Sequence, residues 1–439
     1  MIQRTTATMV LVILSLQPLF GITEDTVLIR NGKIVPVTGP VIPHGCLLIE
    51  RGKIISIAPE IPSPAGAVVV DARGGWVMPG MISTFTPIGL TRHPGAGDDT
   101  DEIGPVTPQM DPFDALNPED DCIEVARVGG VTTALTISGT RNVINGKAVV
   151  INLDGTLAAD MIVRRDAALI FNMGARSDDK YPKTLPGVLA LIREKFNQAK
   201  RYMERKARME TVPPTGTSGD RNDPFRRDLE LEALIPVLNR EVPALFYTRD
   251  EVTINNALTL TEEYNLRGII FARAGILKHA DRLAQHNIPV IWAGATTGTG
   301  PEHPYDMNFR TAAVLADKGI LFAFEKIVGR PDGRNSPRNL PVPAALSVAH
   351  GLSEEAAIRA LTINPAKILG VDDQMGSLEE GKAANIVIWS GSPIQLKSRI
   401  LTVLINGKVI PLENIQTRLR DKFARIVRER MAKTRKEEE

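Results

Sequence analysis

The chain has 439 residues, enough for one large domain with a smaller companion. Its 52 Lys and Arg stand against 51 Asp and Glu, a net charge of +1 that excludes a general nucleic-acid or acidic-surface binder. Cys46 and Cys122 are the only cysteines. Far apart in different predicted elements, they exclude a disulfide framework or thiolate metal site and read as unpaired thiols.

At the N-terminus, Arg4 precedes the apolar run "MVLVILSLQPLFG", which ends at Gly21. The run is short for a membrane span and reads as a secretory signal over residues 1–21. Leu19 is large for a cleavage site, so an uncleaved N-terminal membrane anchor stays open. Either way the body is expected outside the cytoplasm, periplasmic or secreted.

Residues 22–75 alternate apolar and polar side chains, with Asn31-Gly32 and Arg51-Gly52 as predicted hairpin turns. The same style returns within 376–412, in "GKAANIVIWSGSP" and "ILTVLINGKVI", where Asn406-Gly407 is a third turn. A β-sandwich assembled from both ends of the chain follows. Between them, residues 76–375 change to strands alternating with helices, the pattern of an α/β fold with a parallel sheet. The candidate strands are "WVMPGMIST", "GVTTALTI", "KAVVINL", "AALIFNM", "VPALFYT", "GIIFARA", "PVIWAG" and "GILFAFE", the count of a closed (β/α)8 barrel. Helices are predicted over 253–265, 308–319 and 353–362, the last opening on Ser353 before two acidic residues. Residues 91–120 form a long Gly-, Pro- and Asp-rich loop. Residues 193–227 read as a solvated, charged helix followed by a loop. Residues 413–439 form a basic helix with Ile415, Leu419, Phe423, Ile426 and Val427 at helical spacing. Docking of this helix on the body is expected, in preference to contact with an anionic membrane.

The segments "LIRNGKIVPV", "DARGGWVMPGMI", "GVTTALTISGT" and "ALTINPAKILGVDDQMGSLEEGKAANIVIWSGSP" resemble the amidohydrolase superfamily, within it the imidazolonepropionase-like branch. The resemblance runs from Val27 to Ile410. It implies a metal-bearing TIM-type barrel with a composite β-sandwich, and hydrolysis of non-peptide C–N bonds by a metal-activated water. It also implies where the ligands should stand. The first strand should end in a His-x-His pair, and here those positions hold Phe85 and Pro87, with Ser83 in place of an Asp. The fifth-strand His is met by Tyr247 and the sixth-strand His by Ala272. The acidic residue after the eighth strand is met by Glu325, with Ile327 as the other candidate counterpart. Ala383 and Asn385 stand where acidic residues are common in the family.

Zinc needs three or four such ligands, so the expectation is a metal-free pseudoenzyme. Tyr247, Arg249 and Glu325 remain as candidate ligand-binding groups at the barrel mouth, Arg249 suiting a carboxylate, with an Arg249–Glu325 pair as the structural alternative. A rebuilt zinc site using His93 and His303 with Glu325 or the acidic run Asp98-Asp99-Asp101-Glu102, serving a hydrolase, is the alternative. The expected partners are a second copy, an active amidohydrolase homologue or a small ligand, and no nucleic acid. The sequence has no phosphate-binding Gly-Lys-Ser/Thr loop and no Gly-x-Ser-x-Gly elbow.

Overall fold

The computed structural model describes residues 26–93, 96–97, 104–175, 181–211, 226–297, 304–326 and 337–438. The expected signal segment, His303, Ile327 and the acidic run 98–102 lie outside the described residues.

Two sheets organise the chain. One is built from both ends: Thr26–Ile34, Ile42–Glu50, Lys53–Ala58, Val68–Asp71 and Trp76–Pro79 join Ile386–Trp389, Ile400–Ile405 and Lys408–Ile410. The hinge between the two sets is the antiparallel pairing of Trp76–Pro79 with Ile386–Trp389. The edge strand Lys53–Ala58 folds back onto the segment that leads into Ile386–Trp389, where Ala384 N–H donates to Gly52 O and Ile54 N–H donates to Lys382 O. Ile29, Ile49, Ile54, Val77, Ile386 and Leu404 fill the space inside.

The predicted hairpin turns divide. Arg51-Gly52 and Asn406-Gly407 both take positive φ and connect adjacent antiparallel strands. Asn31-Gly32 does not turn the chain. It lies inside the strand Thr26–Ile34 as a bulge, with register shifts on either side of Gly32. Gly32 is needed there because a Cβ would stand 2.5 Å from Val77 Cγ2.

The second sheet is the barrel. Its strands, in chain order, are Met81–Thr86, Val131–Ile137, Ile144–Asn152, Ile162–Asn172, Ala244–Tyr247, Gly268–Ala272, Val290–Trp292 and Phe322–Phe324. They are hydrogen-bonded in that order, first to eighth. All eight predicted strands are present, with two departures. "WVMPGMIST" is two strands, since Trp76–Pro79 belongs to the terminal sheet and Met81–Thr86 to the barrel. The third strand runs antiparallel to both neighbours. Only residues 138–143 separate it from the second strand, room for a hairpin but not for a helical crossover.

Side chains alternate along the strands as the pleat requires. Leu245, Tyr247, Ile269, Phe271, Ile291 and Ala323 face the barrel interior, packed with Ile82, Phe85, Leu135 and Val150. Phe246, Ile270, Ala272, Trp292 and Phe324 face the surrounding helices. Those helices include Glu251–Glu263, Met307–Asp317 and Glu354–Leu361, matching the three predicted. Asp250 and Ser353 cap the first and last of them, each accepting from the backbone N–H three residues on. The charged helix is Leu185–Thr211.

The C-terminal helix, Ile415–Glu438, corrects the docking expectation. Its first turn is fixed to the body, where Glu124 accepts from Ile415 N–H and pairs with Arg418. Farther along, Leu419, Phe423, Val427 and Met431 are exposed. Among the described residues, no helix is long and apolar enough to cross a membrane.

Candidate site at the barrel mouth

In barrels of this kind the C-terminal strand ends carry the chemistry. Phe85, Tyr247 and Phe271 meet there. Phe85 lies 4.3 Å from Phe271 and 5.5 Å from Tyr247, ring centre to ring centre. Tyr247 and Phe271 stand 5.1 Å apart, as cross-strand partners in the register. All three side chains are buried. Such offset aromatic contacts are attractive beyond the area they remove from water.

Phe271 was not singled out by the sequence, and it replaces Ala272 as the inward residue of the sixth strand. Ala272 faces the helices, because the strand alternates and its neighbour Phe271 pairs with Tyr247. Alternation was the signal that could have found it: Ile269 and Phe271 repeat the spacing of Leu245 and Tyr247. Pro87 sits one residue beyond the first strand, half-buried.

Glu325 follows the eighth strand and continues the inward set of Ala323. Its carboxylate is 1% exposed and reaches across to the first strand. Oε2 accepts from Thr84 N–H at 2.5 Å, Phe85 N–H at 2.8 Å, Ser83 Oγ at 2.9 Å and Thr84 Oγ1 at 3.2 Å. Oε1 accepts from Lys326 N–H at 2.9 Å. The hydrogen-bonded path of the sheet ends at the eighth strand on one side and the first on the other. One carboxylate thus satisfies backbone donors at the seam where no ladder joins these two strands. Burial pushes its pKa up to about 7, against the opposing pull of the hydrogen bonds from Lys326, Ser83, Thr84 and Phe85. Burial also holds the neighbouring Lys326 below the usual lysine range.

Arg249 is exposed, with its guanidinium 5.7 Å from the Tyr247 ring centre. It makes no pair with Glu325, whose Oε2 is committed to the first strand and whose Oε1 accepts from Lys326 N–H. The Tyr247 and Arg249 of the expected cleft are therefore neighbours, while Glu325 lies beneath, sealed in the seam. Strand Thr91–His93 pairs with Ala96–Gly97, which fixes the backbone at His93.

The donor set can be tested against the metal that the resemblance implies. Phe85, Pro87, Phe271 and Ala272 offer no lone pair, and the Tyr247 ring is packed against both phenylalanines. Glu325 is saturated by N–H and O–H donors. Among the described residues, no three His, Cys, Asp or Glu side chains converge as a metal would need. These residues do not fit a zinc centre.

A separate cleft of about 680 Å³ opens at the opposite end of the strands, lined by Arg240, Arg267, His286 and Lys367 among others. Its arginines cap helix ends: Arg240 donates to Asn265 O, and Arg267 donates to Arg240 O and Glu241 O. Burial, then the neighbouring Arg164 and Arg240, lowers the Arg267 pKa.

An eight-stranded α/β barrel joined to a sheet made from both chain ends is the barrel-plus-composite-sheet class of architecture. The amidohydrolase family model matches residues 333–410. An amidohydrolase, tasK, of Hapsidospora irregularis is 25% identical over 406 residues, covering 83% of this chain; the chain spans 39% of that protein's length. An imidazolonepropionase of Symbiobacterium thermophilum is 24% identical, covering 83% of this chain and 91% of that one. The solved structure of an amidohydrolase from Thermotoga maritima superposes with a TM-score of 0.77 at 29% identity, over 88% of this chain and 99% of that one. The chain belongs to the amidohydrolase superfamily.

Proposed function

We propose that this chain is a non-catalytic amidohydrolase, a pseudoenzyme whose barrel serves binding and not metal-dependent hydrolysis. The supporting observation is the fate of the strand ends. Interior space that could hold ligands holds the Phe85–Tyr247–Phe271 cluster, and the Glu325 carboxylate is tied into the seam. Barrel and terminal sheet keep full cores, so the scaffold has a use that does not need the metal. Arg249, exposed at the rim beside the buried Tyr247, suits a ligand carrying a carboxylate, read by the guanidinium fork. A second surface use is pairing with another copy or with an active homologue.

The names of the relatives favour a second reading, a hydrolase of non-peptide C–N bonds through a rebuilt zinc site that draws on His93 and His303. Metal analysis of protein expressed with added zinc separates the two. The pseudoenzyme reading expects far less than one zinc per chain, and no change on His93→Ala or His303→Ala. Near-stoichiometric zinc, lost in either variant, overturns it. Purification from the native source under mild conditions tests the pairing role, where an associated amidohydrolase is the expected result.

A further inference from the structure

The C-terminal helix presents an apolar row to solvent. Leu419, Phe423, Val427 and Met431 follow one another at intervals of four, so they share one side of the helix, and each is between 42% and 63% exposed. Arg418, Lys422, Arg425 and Arg428, three or four residues apart, lie on the other side, while Arg420 and Arg430 fall among the row itself. Between Ile415 and Met431 there are six Lys and Arg against two acidic residues. Those two, Asp421 and Glu429, are paired with Arg420 and Arg425. Among the described residues, Lys422 and Arg430 form no ion pair with a carboxylate, and Arg428 acts on Asp421 only at longer range.

We propose that this helix is an interfacial anchor that lays its apolar row into the surface of an anionic lipid bilayer. The apolar side chains enter the headgroup boundary while the flanking cations reach the anionic headgroups, their aliphatic stems covering the apolar edge. Charge complementarity selects this occupant over a second copy of the chain, because two such helices would bring like charges together. The docking of the first turn on Glu124 fixes one end and leaves the exposed row free to meet a flat surface.

Flotation of the full chain with vesicles tests this. Phosphatidylcholine vesicles containing phosphatidylglycerol should bind the protein, and vesicles of phosphatidylcholine alone should bind it at least about tenfold more weakly. Phe423→Asp with Val427→Asp should abolish the difference between the two vesicle types. Lys422→Glu with Arg425→Glu and Arg428→Glu should abolish it too, while the exposed positions leave the melting temperature unchanged. The N-terminal apolar run is common to all these proteins and cancels in the comparison. Equal binding to both vesicle types, or variants that bind like the parent, overturns the proposal. So does self-association in sedimentation velocity that the Phe423 and Val427 changes remove, which would assign the row to a second copy.

Discussion

Glu325 sets two demands against each other. Its burial favours the protonated acid, whereas the backbone N–H groups of Thr84, Phe85 and Lys326 favour the anion. Burial prevails, and the pKa stands near 7 against 4.5 for an unperturbed glutamate. Between these values the folded chain holds a proton that the unfolded chain has released. The stability contributed by this group is therefore fully present below pH 4.5 and is lost as pH rises towards 7. Glu325→Gln should flatten that slope in a series of urea melts at stepped pH, and cost about 1–3 kcal/mol at pH 5 by placing its amide against Lys326 N–H. Curves for parent and variant that run parallel across the window would remove the carboxylate as the cause. At this scale the sequence frames such as "VMPGMI" placed Phe85 and Tyr247 at strand ends, where the structure brings them together. Ala272 misled because one residue of register at a strand end decides inward from outward. The role of Glu325 was hidden, since a seam between strands far apart in sequence leaves no local pattern.

Strand and turn signals were read well where local chemistry alone decides. Arg51-Gly52 and Asn406-Gly407 turn the chain because positive φ at both residues suits a tight hairpin. Asn31-Gly32 has the same chemistry, but the strand continues through it, held by parallel pairing to Val68–Asp71 before the bulge and to Trp76–Val77 after it. Long-range pairing outweighed the turn preference. Gly80 is the matching case in "WVMPGMIST", where a run that looks continuous changes sheets. Its N–H donates to Asn385 O, and a Cβ there would lie 2.1 Å from Thr132 Oγ1 and 2.3 Å from Thr132 Cγ2. Thr132 is fully buried, with its hydroxyl unpaired. Gly80→Ala should cost about 1–3 kcal/mol through this overlap. Thr132→Ala should recover part of that in the double variant, because Oγ1 and Cγ2 are removed while Thr132 Cβ, 2.7 Å from the new methyl, remains. A denaturant-melt cycle giving additive effects would mean that the glycine is needed for backbone conformation and not for room.

The composite sheet and the barrel meet at a small polar cluster between otherwise apolar surfaces. Asn385 Nδ2 donates to Asn152 Oδ1 at 2.8 Å and to Thr133 Oγ1 at 3.2 Å, joining the last strands of the chain to the second and third barrel strands. Its Oδ1 accepts from Asn406 N–H at 2.9 Å, at the turn of the terminal hairpin. The sequence marked Asn385 only as a departure from the family's acidic habit; the cluster supplies its physical role, since an amide can donate to one sheet and accept from the other. The neighbouring strand Trp76–Pro79 passes covalently into the first barrel strand, so neither part can open without disturbing this junction. The two should therefore unfold together, and the three tryptophans divide conveniently between them: Trp76 and Trp389 in the composite sheet, Trp292 in the barrel. Trp292→Phe leaves fluorescence that reports the sheet, and Trp76→Phe with Trp389→Phe leaves fluorescence that reports the barrel. Both reporters should follow one cooperative transition when compared with circular dichroism of the same variant. Asn385→Ala, introduced into each background, should lower both midpoints by the same free energy, about 2–3 kcal/mol, because it leaves buried donors and acceptors unpaired on both sides. A change confined to the sheet reporter would show that the cluster stabilises the sheet alone and that the barrel stands without it.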